Sequence, residues 1–340
     1  MTRPTVLLVF GGESSEHDVS VSSARNIYAA LDGEKYDTKL CYIDHHGKWW
    51  LLDEWSESLS RHGGVQLVAA PGSGSFMTIP GSAIVHVDVL FPALHGKNGE
   101  DGTVQGLAKL LGIAVVGSGV TASALCMDKL LTKQVLLANG VKTAKYQVYR
   151  RGSAYPNYEE IAETLGEVVF VKPTCSGSSV GTTKVHTVRE FLPALKDALE
   201  HDDNVLIEEY IEGRELEVAV LGNTPKQRVS GVGEVVTSAD FYDYNEKYVD
   251  TGNTQILTNV TLPDGLQQKI DDTTRQVYEL LGCQGMARVD YLLKGTTLYI
   301  MEVNTLPGFT STSMYPKLWR AAGTSYAQLV DELIAAAQQR

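Results

Sequence analysis

The first third of the chain alternates short apolar runs with stretches of helical spacing. Thr5 to Phe10 reads as a buried strand, ended by Gly11-Gly12, and the spacing beyond predicts a helix from about Ser20 to Leu31. Val85 to Phe91 predicts a second strand, Thr103 to Leu111 a helix and Ala114 to Val116 a short strand, with loop signals at Pro71 to Ser75 and Pro80-Gly81. Alternation of this sort predicts an α/β domain with a parallel, doubly wound sheet.

Farther on, the pattern predicts one helix from about Ala122 to Ala138, stopped by Asn139-Gly140. Strands follow near Tyr146 to Tyr149, Val168 to Val171, Val205 to Glu209 and Leu216 to Leu221. A tyrosine-rich, loop-like stretch spans Ser238 to Thr258. The last third predicts a helix near Leu266 to Leu281, strands at Ala287 to Leu293 and Leu298 to Val303, and a C-terminal helix from about Ser325. No internal repeat and no low-complexity tract interrupts this order.

At 340 residues there is chain enough for two or three domains, and 43% hydrophobic with 21% charged residues is ordinary for a globular protein. The formal net charge of -12 argues against nucleic acid and anionic membrane as main partners. The apolar run at Val6 to Phe10 is too short for a membrane span, and no leader-like sequence of charged, apolar and cleavage regions lies near Met1. Cys41, Cys126, Cys175 and Cys283 are far apart and form no CxxC, so reduced thiols in a cytoplasmic protein are expected in place of zinc or a disulfide frame.

Candidate chemistry is densest between Arg288 and Asn304. Period-2 alternation puts Arg288, Asp290 and Leu292 on one strand face, and Ile300, Glu302 and Asn304 on one face of the next strand. A three-residue loop, Gly295 to Thr297, would set Asp290 opposite Glu302 with Cβ atoms roughly 5 Å apart. Carboxylates that close repel unless a cation or proton lies between them, and Asp, Glu and Asn oxygens suit Mg²⁺ beside phosphates.

Four further segments add to this. Lys172 ends a strand and precedes the small-residue loop Gly177-Ser178-Ser179-Val180-Gly181, whose backbone N–H groups can wrap phosphate oxygens. No Walker GK[ST] follows. Val205 to Glu215 runs from a strand into an acidic linker that could offer donors and acceptors to a purine edge. Gly11 to Ser20 places Glu16 before a helix, where it could meet a ligand ammonium. His95 follows the second strand, outside the carboxyl ends where ligands gather in open α/β sheets.

Together these segments resemble the D-alanine–D-alanine ligases of the ATP-grasp superfamily, in order, from Val6 to the C-terminal helix. The motifs that carry the resemblance are Gly11-Gly12 with Glu16-His17, Leu94-His95-Gly96 with Gly99-Glu100-Asp101-Gly102, Met127-Asp128-Lys129, Gly177 to Gly181, Phe241 to Tyr244 with Lys247-Tyr248, and Glu302 to Ser311. Thr258-Asn259 stands where the family usually has Pro-Ala.

The resemblance implies an ATP-grasp fold preceded by a doubly wound N-terminal domain. Residues 1–120 would bind substrate, 121–208 form the central subdomain, and 209–340 form the C-terminal subdomain with a closing loop at about 238–258. It implies ATP and two Mg²⁺ ions, with Mn²⁺ as a substitute. Lys129 and Lys172 would hold ATP phosphates beside the Ser179 loop; Glu208, Glu209, Tyr210 and Ile211 would meet adenine, Glu215 the ribose, and Phe241 is a further ATP contact. Asp290, Glu302 and Asn304 would hold the metal ions, with Glu302 bridging. Glu16 would take the first D-alanine ammonium near His95, and Arg288 with Gly308 N–H would stabilise the oxyanion. Lys247, Ser313 and Met314 would take the second carboxylate, and Ser178 would link Glu16 to Tyr248. The implied activity is ligation of two D-alanines through an acyl phosphate for peptidoglycan precursors, by a homodimer. D-lactate or D-serine as second substrate, or a non-catalytic nucleotide-binding protein, are the competing readings.

Overall fold

The computed structural model describes residues 3–56, 64–237 and 254–340. They form three sheets. The first has eight strands in the order β6-β5-β4-β3-β2-β1-β7-β8: β1 Thr5–Gly11, β2 Asp37–Ile43, β3 Trp49–Leu52, β4 Val65–Ala70, β5 Ser75–Ile79, β6 Ile84–His86, β7 Val89–Pro92 and β8 Ala114–Val115. Only β2-β1-β7-β8 is parallel, and the rest is an antiparallel extension. Helices lie on both faces. Val6, Leu8 and Phe10 pack with Ile27 of α1 (His17–Ala30) and with Leu329 and Leu333 of the C-terminal helix Tyr326–Gln338. Leu7 and Val9 pack with Val104, Ala108 and Leu111 of α2 (Thr103–Leu111). The alternation of β1 thus feeds two separate cores.

Two stretches read as single elements are each divided in two, and Thr254–Leu257, at the end of the stretch read as loop-like, is a strand. The apolar run at Val85 to Phe91 is two strands, because Asp88 breaks it: its carboxylate accepts from Thr5 N–H at 2.7 Å. β6 then pairs antiparallel with β5 while β7 joins β1, so the extension curls back until its edge reaches β7. The helix predicted over Ala122 to Ala138 is also two, α3 (Val120–Met127) and α4 (Lys129–Ala138). Asp128 between them is extended, and its carboxylate accepts from Leu130 and Leu131 N–H. An Asp gains more as an N-cap than inside a helix, and the break re-aims Lys129.

The second sheet, β11-β10-β12-β9, is antiparallel: β9 Tyr146–Arg150, β10 Val169–Pro173, β11 Thr183–Val185 and β12 Asn204–Glu209. Val169, Val171, Val205 and Ile207 face α5 (Tyr158–Leu165) and α6 (Val188–His201) through Ile161, Phe191 and Leu195. The intervening positions, Lys172 and Glu208 among them, occupy the other face.

The third sheet is β15-β14-β13-β16-β17: β13 Arg214–Leu221, β14 Arg228–Thr237, β15 Thr254–Leu257, β16 Met286–Lys294 and β17 Thr297–Asn304. One face packs on the helix Leu266–Leu280 through Val218, Val220, Val289, Tyr291, Ile270 and Val277. The other turns Glu217, Arg288, Asp290 and Glu302 toward the site. Here the hairpin corrects the expected geometry. The turn is Gly295-Thr296 only, and a bulge at Met301 restores the pairing of Asp290 with Glu302. That extra residue reverses the alternation, so Ile300 joins Leu298 and Val303 in the core and does not share a face with Glu302.

Candidate active site

A cavity of about 410 Å³ lies where the three sheets meet, and the residues around it fall into groups. One group holds Glu16, 6% exposed at the start of α1. Its Oε1 accepts a hydrogen bond from Ser178 Oγ, which ties the first sheet's loop to the second sheet's loop. The approach is close enough to dictate residue size. A Cβ on Gly96 would stand 2.8 Å from Glu16 Oε2, and Gly96 also has φ +71°, so two constraints select glycine there. Ser178 and Ser179 hold φ of 48° and 60°. Non-glycine residues there store roughly 1–3 kcal/mol each, the kind of strain that collects at ligand loops.

His95 is buried beside Glu16. Its Nε2 meets Ser23 Oγ at 3.0 Å and its Nδ1 lies 3.6 Å from Glu100 Oε1. Burial would lower its pKa, but the Glu100 and Glu16 carboxylates outweigh that and raise it. Glu100 is itself raised, because burial disfavours its anion.

The floor is the β13-β16-β17 face. Register aligns Glu217, Asp290 and Glu302 across three strands. Arg288 donates to Asp290 in two bonds, Nε to Oδ1 at 2.7 Å and Nη2 to Oδ2 at 2.6 Å, and Asn304 Nδ2 donates to Oδ2 at 2.9 Å. Arg288 Nε also stands 3.0 Å from Glu217 Oε2. Burial opposes the guanidinium charge, but Asp290 and Glu217 hold its pKa well above the ordinary value. Asp290, Glu302 and Asn304 are therefore neighbours, as the sequence predicts. Glu217 is the residue sequence reading missed: only the pairing of β13 with β16 puts it beside Arg288.

Ser313, also on the cavity wall, begins the helix Met314–Ala321. Its Oγ accepts from Thr310 N–H at 3.1 Å, and a Cβ on Gly308 would crowd it at 2.8 Å. Gly308, Ser313 and Met314 all line the cavity. The N–H groups at a helix start suit a carboxylate.

Lys129 also lines the cavity, donating to Ser176 O at 2.5 Å and standing 3.8 Å from Glu302 Oε2. Lys172 lies apart from it, 2.6 Å from Glu208 Oε2, while Lys133 holds Glu208 Oε1 at 3.0 Å. Lys133 was not singled out from sequence either; its i,i+4 spacing from Lys129 was the available signal. Glu209 Oε1 accepts from Lys145 N–H at 2.7 Å, so that side chain braces β12. Tyr210 is exposed beneath Lys184, whose Nζ lies 4.3 Å from the ring centroid, and Ile211 is buried. Glu215 lies on β13 between Val235 and Leu292. Phe241, Lys247 and Tyr248 lie outside the described residues.

Three sheets whose loops and strands close on one cavity, with Lys129 beside Glu302 on an acidic floor, are the arrangement of an ATP-grasp ligase. The chain belongs to the D-alanine–D-alanine ligase family: "D-ala D-ala ligase N-terminus" matches residues 5–118 and "D-ala D-ala ligase C-terminus" residues 135–335. It is 42% identical to D-alanine–D-alanine ligase A of Chromobacterium violaceum, covering 100% of this chain and 96% of that one, and 39% identical to D-alanine–D-alanine ligase A of Escherichia coli K12, covering 100% and 97%. Among solved structures, the D-alanine–D-alanine ligase of Coxiella burnetii superposes with a TM-score of 0.90 at 33% identity, covering 100% of this chain and 95% of that one. The VanG D-Ala:D-Ser ligase of Enterococcus faecalis also gives 0.90, at 34% identity, covering 99% and 100%.

Proposed function

We propose that this ligase phosphorylates the carboxylate of one D-alanine with ATP and joins the acyl phosphate to the amine of a second, making D-alanyl-D-alanine for peptidoglycan precursors. The observation that carries the reading is that one cavity gathers the complementary groups the reaction needs. An anion for an ammonium (Glu16), a helix N-terminus for a carboxylate (Ser313, Met314) and the cation of Arg288 all line it. Glu16 would fix the first amino acid, braced by Ser178. Arg288, held by Asp290 and lining the cavity, would meet oxygen there, and Gly308 N–H would share the developing charge. Phosphoryl transfer asks little covalent work of the protein, so positioning by Lys129, Lys172 and Arg288 is its main task.

Asp290, Glu302 and Asn304 bring two carboxylates and an amide oxygen together, a donor set that fits Mg²⁺. Mg²⁺ there would neutralise phosphate charge. Mg²⁺ is commonly held by one or two carboxylates together with substrate phosphates, which would complete the coordination here. The backbone of Glu208 to Ile211 would meet adenine and Glu215 the ribose, with Ser179 and Phe241 near the phosphates. Lys247 and Tyr248 would close over the second amino acid. Residues 1–120, 121–208 and 209–340 would act as three domains. A cytoplasmic homodimer is the proposed form, and among the described residues no helix is long and apolar enough to cross a membrane.

D-serine is the second reading, favoured by the similarity to the D-Ala:D-Ser ligase. The test is phosphate release from ATP with each amino acid, followed by the product mass. Release that requires D-alanine and yields the dipeptide mass supports the proposal. A mixed D-alanyl-D-serine product transfers it to the second reading, and no amino-acid-dependent release overturns both.

A further inference from the structure

Lys133 lies on α4 one turn beyond Lys129, so both lysines share a helix face. Its side chain is 2% exposed, and its ammonium stands 3.0 Å from Glu208 Oε1. Lys172 Nζ stands 2.6 Å from the other oxygen and is the more open of the two cations, at 15%. Lys172 and Glu208 reach each other because β10 pairs Phe170 with Glu208, which sets Lys172 on the diagonal of the same face.

Burying an ammonium is costly, and a well-packed apolar side chain would stabilise the fold as well or better. Burial pushes the Lys133 pKa down despite the pull of Glu208, and the nearby Lys172 and Lys129 push the same way. The carboxyl of Glu208 is held below its ordinary range, because the two lysines outweigh its burial. The charge count shows what the arrangement achieves. Lys172 with Glu208 alone would be a neutral pair, whereas two ammonium groups less one carboxylate leave one net positive charge.

We propose that Lys133 is a positioning residue of the nucleotide subsite: by supplying a second cation to Glu208, it frees Lys172 to act as a positive charge on a phosphate oxygen. This rests on the reading of Lys172 as a phosphate contact. Lys133 itself touches no substrate. It sets how much of the charge of Lys172 remains for one.

The test measures ADP binding by calorimetry and the KM for D-alanine in the full chain. Three variants are compared with wild type: Lys133→Met, Lys172→Met and the double variant Lys133→Met/Glu208→Gln. Lys133→Met should weaken ADP binding roughly tenfold and leave the KM for D-alanine unchanged. The double variant again has one net positive charge and should recover most of the loss. A merely structural role predicts no such rescue, because the double variant has lost both partners. The proposal is overturned if Lys133→Met binds ADP like wild type, or if the double variant binds no better than Lys133→Met. Lys172→Met separates the two failures. If it too binds ADP normally, the phosphate reading of Lys172 is wrong; if it alone is weakened, only the role of Lys133 falls.

Discussion

Asp290 and Glu302 face each other across the last hairpin because Met301 is an extra residue in β17. The two-residue turn at Gly295-Thr296 alone would pair Asp290 with Met301. The bulge advances the strand by one and delivers the second carboxylate to the face that already holds Arg288 and Asp290.

Glu302 is therefore predicted to be essential for ligation and unimportant for folding, since it is partly exposed and Asp290 is satisfied by Arg288 and Asn304. Glu302→Gln should lower kcat by roughly a hundredfold or more with an unchanged melting temperature. Near-normal turnover in a phosphate-release assay would remove Glu302 from the reaction.

Lys172→Ala should raise the KM for ATP by roughly tenfold and leave that for D-alanine unaltered, because losing one phosphate contact affects one substrate. The fold should persist, since Lys133 still pairs with Glu208. Equal losses for both substrates would indicate general damage.

Ser178→Ala should weaken the first D-alanine. The change removes one hydrogen bond to the Glu16 carboxylate, a loss of about 1.5–3 kcal/mol. Steady-state kinetics should show a higher KM for the first amino acid and little change for ATP. Tyr248→Phe, if Tyr248 completes the same chain, should slow dipeptide formation by roughly tenfold to a hundredfold. If both variants are kinetically normal, Glu16 is not the ammonium subsite.

His95 should make stability depend on pH. Its folded pKa is raised by Glu100 and Glu16 against burial, so the charged form is favoured in the fold. The resulting stabilisation is complete below the unfolded value and is lost as pH rises through the folded one. Comparing wild type with His95→Gln between about pH 6 and about pH 9, the difference in Tm should be largest at the acid end and shrink upward. A difference that stays constant or grows with pH would contradict a charged His95.

Much of the site was legible because its motifs are local. Glu16 before α1, Lys172 at the end of β10 and the Arg288 to Asn304 pair of strands depend on short-range periodicity, and strand alternation alone grouped Arg288 with Asp290. What failed were features settled by distant partners. Asp88 divides an apolar run because Thr5 needs its carboxylate, and Asp128 divides a helix because its oxygen caps α4. Neither partner choice is visible in hydrophobic spacing.

The sequence by itself determined which residue types stand at the ends of strands and loops, and so the family and its chemistry. Only the tertiary structure decided how charges are shared. Glu217 meets Arg288 because β13 lies beside β16, and Lys133 meets Glu208 because α4, whose Leu136 packs in the third sheet's core, also reaches β12. The physical reason is range. Periodicity specifies a residue's own face, whereas the neighbours of a buried charge come from other elements. Their identity sets whether that charge is spent inside the protein or left for a ligand.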